Sequence, residues 1–271
     1  RWLQDLELVT EEADVREPAI LLGISQGATT AIHYAARHPD RVSQLIVYGG
    51  YARGWAQRGE PDTERYYDAL LELMGRGWSS DNSSFRQIFT SRFIPCASDE
   101  QVGWFNSLCR RTTTGENAVK MMRARGDRDV TELLSKVRAP TLVLHARGDE
   151  VAPLAEGRLI ASEIPDATFV ELDSNNHILL EHEPAWQTFQ ERVCEFTGTR
   201  REHPSALAGL SPREREVLGG ITEGLTNARI AERLHISEKT VRNQVSRLFD
   251  KLGVRSRAQA IVLARDRGFR P

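Results

Sequence analysis

The sequence predicts an α/β fold built on a parallel sheet, with a helical insertion and a separate all-α domain after it. Three observations carry that expectation. Four short apolar runs, Ala19–Ile24, Val42–Tyr48, Thr141–Leu144 and Thr168–Leu172, alternate with stretches of helical periodicity, the pattern of parallel strands joined by crossover helices. From Leu210 onward the runs become purely helical, each opened by Ser or Thr. Charge changes sign near the same place: from Ser205 on there are 13 Lys+Arg against 7 Asp+Glu, and before it 23 against 31. A basic module on an acidic body suits a nucleic-acid binder whose larger part must not adhere to DNA.

With 271 residues the chain has room for two domains, one large enough to bury a full core. No apolar run approaches the ~18 residues of a membrane helix, so no membrane partner is expected. Cys96, Cys109 and Cys194 lie far apart without metal-ligand spacing. Free thiols in a reducing, cytoplasmic compartment follow, and neither a metal nor another cofactor is expected.

Taken in order, residues 2–13 form an amphipathic helix, with Leu3, Leu6, Val9 and Ala13 spaced by three and four. Ala19–Ile24 is a continuous apolar run, expected of a strand buried on both faces. Gly23-Ile24-Ser25-Gln26-Gly27 follows it and leads into a helix from Ala28 to Arg37. The G-x-S-x-G pattern is weak alone; with a strand before it and a helix after it, it has the context of a nucleophile elbow. Its glycines are expected where a strained turn brings backbones into contact. The third strand ends in His145-Ala146-Arg147-Gly148-Asp149, and the fourth in Asp173-Ser174-Asn175-Asn176-His177. Ser25, Asp149 and His177 thus each fall just past the carboxyl end of a strand, where such sheets bind ligands.

That placement assigns roles. His177 is the expected general base for Ser25, and Asp149 the group that holds the imidazole tautomer and stabilises the imidazolium. The Gln26 backbone N–H, at the positive end of its helix, is the expected oxyanion donor. His145 and His182 are read as structural. Between the second and third strands lies an insertion, residues 51–129, and Tyr51 to Phe105 holds 10 of the chain's 19 aromatics. Those rings either line a pocket for an apolar, acyl or aromatic ligand or form the insertion's own small core. Residues 199–209, polar with Gly and Pro, read as a linker.

In the C-terminal domain, Ser211-Pro212-Arg213-Glu214 is a capping box with Pro at the first helical position. Thr226 caps a short helix carrying Ile230, Ala231 and Leu234. Ser237 caps a longer one, in which Val241, Val245, Leu248 and Leu252 share a face before the stop at Gly253. Two helices joined by the tight His235-Ile236-Ser237 turn make a helix-turn-helix. Opposite the apolar stripe stand Lys239, Arg242, Asn243, Ser246 and Arg247. Such a helix is often merely solvated, but the scaffold helix before it favours base and phosphate contact.

Leu210 to Phe269 resembles a LuxR-type helix-turn-helix domain, in its L-S-P-R-E-R-E-V-L opening, its N-x-x-I-A-x-x-L core and its S-E-K-T-V-R-N recognition start. The resemblance implies double-stranded DNA as partner, contacted by Lys239, Thr240, Arg242, Asn243, Ser246, Arg247 and Lys251, and a homodimer through Ser256 to Gly268. Gln244, near the expected groove, stands where many members carry His. Residues 1–198 resemble the α/β-hydrolase family, with A-R-H-P-D-R-V (Ala36 to Val42) and E-H-E-P-A-W (Glu181 to Trp186) as further matches, and in that family the insertion forms a lid. There the elbow follows several strands and helices. The resemblance therefore implies an N-terminally truncated domain lacking a strand beside Ala19–Ile24 and a second oxyanion donor.

Domains are expected at 1–198 and 210–271. The expected function is a DNA-binding regulator whose hydrolase-like domain senses or processes a small ligand. The alternatives are a serine esterase-type enzyme using its helix-turn-helix for dimerisation, and a regulator that binds ligand without turnover.

Overall fold

A computed structural model describes residues 2–199, 210–254, 256–266 and 269. It divides into two compact units, Arg1–Thr199 and Arg200–Pro271. Nearly all of the expected linker, residues 200–209, lies outside the described residues.

In the first unit, β1 (Ala19–Ile24), β2 (Val42–Tyr48), β3 (Thr141–Ala146) and β4 (Ala167–Leu172) form one parallel sheet in the order β1-β2-β3-β4. The parallel sheet is therefore as expected. β3 runs two residues past the predicted Leu144, because His145 and Ala146 pair with Glu171 and Leu172. Its helices are α1 (Trp2–Glu12), α2 (Gln26–Arg37), α3 (Pro61–Gly77), α4 (Ser84–Phe93), α5 (Asp99–Thr112), α6 (Gly115–Gly126), α7 (Thr131–Leu134), α8 (Leu154–Glu163) and α9 (Pro184–Thr197).

Each crossover moves one strand in the same direction, and right-handed crossovers then put their helices on one face. Ile32 of α2, Leu134 of α7 and Ile160 of α8 accordingly pack with Leu45, Val47 and Val143 in one core. The opposite face is covered by α9, where Ala185 and Phe189 meet Ile46, Tyr48, Leu144 and Leu172. Helices α3 to α6 form a satellite core around Trp55, Tyr67, Leu70 and Trp78.

One expectation fails. β1 is not buried on both faces: Ile20, Leu22 and Ile24 are 45%, 45% and 49% exposed. They stand on the α9 face beside Gln44, Ile46 and Tyr48, and the core under α9 begins at β2. A continuous apolar run shows what a strand is able to bury, not what covers it.

Gly23 shows why β1 and α2 meet as they do. A Cβ there would lie 2.7 Å from the Ala28 Cα, 2.8 Å from the Ala31 Cβ and 2.9 Å from the Gly27 carbonyl oxygen. Gly23→Ala is expected to destabilise the unit by about 1–3 kcal/mol through overpacking, read as a lower urea midpoint. An unchanged midpoint would mean that α2 can lift off β1. The contact argument does not extend to Gly27, where a Cβ meets nothing within 4 Å.

The second unit contains α10 (Pro212–Thr222), α11 (Asn227–Leu234), α12 (Glu238–Leu252) and α13 (Arg257–Asp266). Ser211 and Glu214 close a reciprocal capping box, and Thr226 and Ser237 accept from the third backbone N–H of their helices. Leu218, Ile221, Ile230, Val241 and Leu248, each almost wholly buried, form its core.

Candidate active site and nucleic-acid face

Ser25 follows β1 directly and caps α2 in a backbone conformation of φ 53°, ψ −121°. Such an angle in a residue with a Cβ costs on the order of 1–3 kcal/mol. The turn is held by Ser25 N–H donating to the Tyr48 carbonyl (2.9 Å) and Ala28 N–H to the Ser25 carbonyl (3.0 Å). The Ser25 side chain makes no cap hydrogen bond, so the hydroxyl is not engaged by its own helix. Gln26, the first residue of α2, carries one of the N–H groups that a helix start leaves without an intrahelical acceptor.

Asp149 lies three residues past β3, its side chain fully buried. Its Oδ1 accepts from the N–H groups of Val151 (2.8 Å) and Ala152 (2.9 Å), and its Oδ2 lies 2.6 Å from His177 Nδ1. Burial pushes this carboxyl up. The hydrogen bond and charge of His177, the Ala152 N–H and His145 together outweigh it, so Asp149 titrates below its ordinary range. His145 is also fully buried, with its Nε2 donating to the Ala152 carbonyl (2.8 Å). Burial is the largest effect on it and holds its pKa down, which keeps it neutral.

His177 sits five residues past β4. Tyr48 Oη donates to its carbonyl (2.8 Å), and Ile178 N–H donates to the Phe93 carbonyl (3.1 Å). The Phe93 ring stands edge-on to the imidazole at 5.3 Å. Gly49, at φ 55°, lets the ring come close: a Cβ there would lie 3.1 Å from His177 Cε1. The structure thus joins Asp149 to His177. It does not join His177 to Ser25: Nε2, the atom that would take the serine proton, is buried with no hydrogen-bond partner among the described residues.

Ser25 and Gln26 open on a cavity of about 320 Å³ whose lining includes Met74, Trp78, Phe89 and Phe93 of the insertion. The aromatic rings are divided between a packed core and the cavity wall. Trp55 stacks on Tyr67 (4.6 Å between centroids) in the insertion's own core, while Trp78 both packs there and faces the cavity. No group of three or more metal-ligating side chains occurs among the described residues.

In the second unit, Lys239, Thr240, Arg242, Asn243, Ser246, Arg247 and Lys251 are all exposed on α12, and Val241, Val245, Leu248 and Leu252 are buried behind them. Thr240 is engaged by the cap, its hydroxyl 2.8 Å from Ser237 Oγ. Lys251 Nζ donates to Glu214 Oε2 at 2.9 Å, which with the Ser211 contacts holds the Glu214 carboxyl down at about 2. Gln244 is half-buried, with Oε1 enclosed and without a hydrogen-bond partner among the described residues. It lies one residue before the buried Val245, and so turns partly away from the exposed face.

Sequence reasoning passed over the groups that hold the histidine loop. Glu183 accepts from Ser174 Oγ (2.6 Å), Asn176 Nδ2 (3.2 Å) and the Leu180 N–H. It lies inside the E-H-E-P-A-W stretch, so the signal was present but its role was not. Phe93 and Arg125, also at the cavity, belong to no motif.

Comparison with known proteins follows the same division. Residues 3–184 match the alpha/beta hydrolase fold, and residues 208–264 match the luxR family of bacterial regulatory proteins. The DNA-binding transcriptional activator DevR/DosR of Mycobacterium tuberculosis is 52% identical over 63 residues, 23% of this chain and 29% of that protein. A 2-hydroxy-6-oxononadienedioate/2-hydroxy-6-oxononatrienedioate hydrolase of Cupriavidus pinatubonensis is 28% identical over 197 residues, 71% of this chain and 66% of that one. The chain thus spans about a third to two thirds of these two relatives. An esterase from Exiguobacterium antarcticum shares the fold with a TM-score of 0.63 at 22% identity, over 72% of each chain.

Proposed function

Because the chain belongs to the α/β-hydrolase fold family and carries a luxR-family domain at residues 208–264, we propose that it is a DNA-binding transcriptional regulator whose hydrolase-fold unit takes a small apolar or acyl ligand. One observation carries the reading: a single chain presents both an exposed polar row on α12 over a buried stripe and a serine that opens on an apolar cavity. Arg242 and Asn243 supply base-edge contacts, and Lys239, Arg247 and Lys251 supply charge for phosphates. Lys251 must leave Glu214 to do so. Two copies pair through residues 256–268, where α13 leaves Val262 exposed; residues 267 and 268 of that segment lie outside the described residues. DNA as partner sets the site of action in the cytoplasm.

In the cavity, Ser25 attacks a ligand carbonyl, His177 receives the proton, Asp149 holds the imidazole, and the Gln26 N–H stabilises the oxyanion. A second reading, ligand binding without turnover, is favoured by the missing contact at His177 Nε2.

Arg242→Ala is expected to weaken binding to a selected operator by about 1–3 kcal/mol and to relax preference at one base pair. Lys251→Ala is expected to weaken all sequences alike and to flatten the salt dependence. Titrations at two salt concentrations separate the two. An Arg242→Ala protein with parental affinity and selectivity would remove α12 as the reading element.

A further inference from the structure

The cavity next to Ser25 is lined mostly by apolar side chains, with Ser25, Gln26, Thr112 and Thr113 among them, and carries one charged residue, Arg125. Arg125 stands in the last turn of α6, on the face formed by Ala118, Met121 and Met122, and all four line the cavity. It is 6% exposed, and no carboxylate lies within 4.0 Å of it among the described residues. Of the five donors a guanidinium carries, one reaches the Val151 carbonyl (2.9 Å). The buried acid Glu156 has Arg53 as its ion-pair partner. Glu156, itself 2% exposed, accepts from Arg53 Nε and Nη2 with Oε1, and from the Ala52 and Arg53 N–H groups with Oε2.

A second cation, Arg58, stands on the same ring as Arg125. The Arg125 and Arg58 guanidinium groups lie 5.5 and 5.9 Å from the centre of the Tyr51 ring. The C-terminal end of α6 favours a positive charge but does not supply a full negative one. A buried cation without a counter-charge is costly to maintain. Placed on the wall of a cavity that holds no other charged residue, it is a binding group for an anion brought by the ligand.

We propose that Arg125 binds a carboxylate at the far end of the ligand, so that the substrate or effector class is an acyl compound carrying a second, ionised carboxyl group. This rests on the reading of the cavity as the ligand site. The carbonyl to be attacked lies at Ser25, the connecting chain runs along Met74, Trp78 and Phe89, and the anionic end meets the guanidinium fork. A neutral chain of the same length leaves the buried charge unpaired, so the site discriminates against it.

The test uses methyl ketones, which bind without being hydrolysed: 6-oxoheptanoate and longer homologues against 2-heptanone and the matching neutral ketones. Binding to the full chain is read by tryptophan fluorescence, since Trp78 faces the cavity. The carboxylate of the best-fitting length is expected to bind roughly tenfold to a hundredfold more tightly than its neutral partner. That preference should vanish at pH values low enough to protonate the ligand. In Arg125→Gln the ratio should fall to about one, and Arg125→Lys should keep part of it. Equal affinities in the parent protein overturn the proposal without recourse to any variant, as does failure of both ligands to bind. If Arg125→Gln lowers both affinities by the same factor, the residue serves only to tie α6 to Val151. Labelling of Ser25 by a fluorophosphonate reports separately on hydrolysis. A labelled protein without anion preference sinks the Arg125 assignment alone, and anion preference without labelling sinks turnover alone.

Discussion

Asp149→Asn is expected to lower ester hydrolysis by about four orders of magnitude while leaving the fold in place. The reason lies in how the two carboxylate oxygens are used. Oδ1 accepts from the Val151 and Ala152 N–H groups, and an asparagine keeps its carbonyl oxygen there because only an acceptor fits. Its NH2 group is then left facing His177 Nδ1, where Oδ2 stands 2.6 Å away in the parent. An amide donates to Nδ1, so the ring proton moves to Nε2, the atom that has to accept from Ser25. The substitution also removes a pH-dependent contribution. The Asp149 pKa is lowered in the folded protein. Its stabilisation is therefore present above the unfolded carboxyl pKa of about 3.9 and is lost as the pH falls through the lower folded value. In the Asn variant this acid limb should be shallower. Steady-state hydrolysis of a simple aryl ester, mass spectrometry of Ser25 after a fluorophosphonate, and circular dichroism cover the three claims. An Asn variant with parental turnover would move the acid role to another group, Glu150 first. A parent that never acylates Ser25 would instead favour ligand binding without turnover.

Leu248→Ala is expected to cost about 2–5 kcal/mol and to abolish operator binding by unfolding the second unit. Leu248 is fully buried on α12 among Leu218, Ile221, Ile230 and Val241. A unit of this size has roughly 4–11 kcal/mol of stability in all, so one cavity consumes a large part of it. Hydrogen exchange on the full chain distinguishes this loss from that of Arg242→Ala. In Leu248→Ala protection should collapse across α10 to α13 and persist in β2 and β3. Arg242→Ala should leave both sets protected. Full protection in Leu248→Ala would mean that the core closes over the deleted methyl groups, and the burial argument for α12 would fail.

Whatever depends on neighbours in the chain was legible from residues alone. The cap at Ser211 with Glu214, the stop at Gly253 and the strand-serine-helix order at Ser25 each need only a few consecutive positions, because backbone angles and first-turn hydrogen bonds are local. Ser25, Asp149 and His177 could be singled out as candidates for a related reason: a parallel sheet places all its carboxyl ends on one edge, so position after a strand already suggests proximity. The same rule does not reach the last ångströms, and it said nothing of the unpaired Nε2 of His177.

Tertiary structure alone decided the remainder. Periodicity marked β1 as apolar, but the reach of α9 determines which of its faces is covered. Lys251 sits in the polar row of α12 by its spacing, yet its ion pair with Glu214 spans 37 positions. Glu183 holds the His177 loop, and Phe93, 84 positions before His177, packs against the ring. Arg125 looks like one more basic residue on a helix, and only the folded chain shows that it is buried on the wall of the cavity beside Ser25. A side chain's charge is written in the sequence. Whether that charge is neutralised depends on which distant group the fold brings within about 4 Å, because the interaction falls off with distance and strengthens as water is excluded.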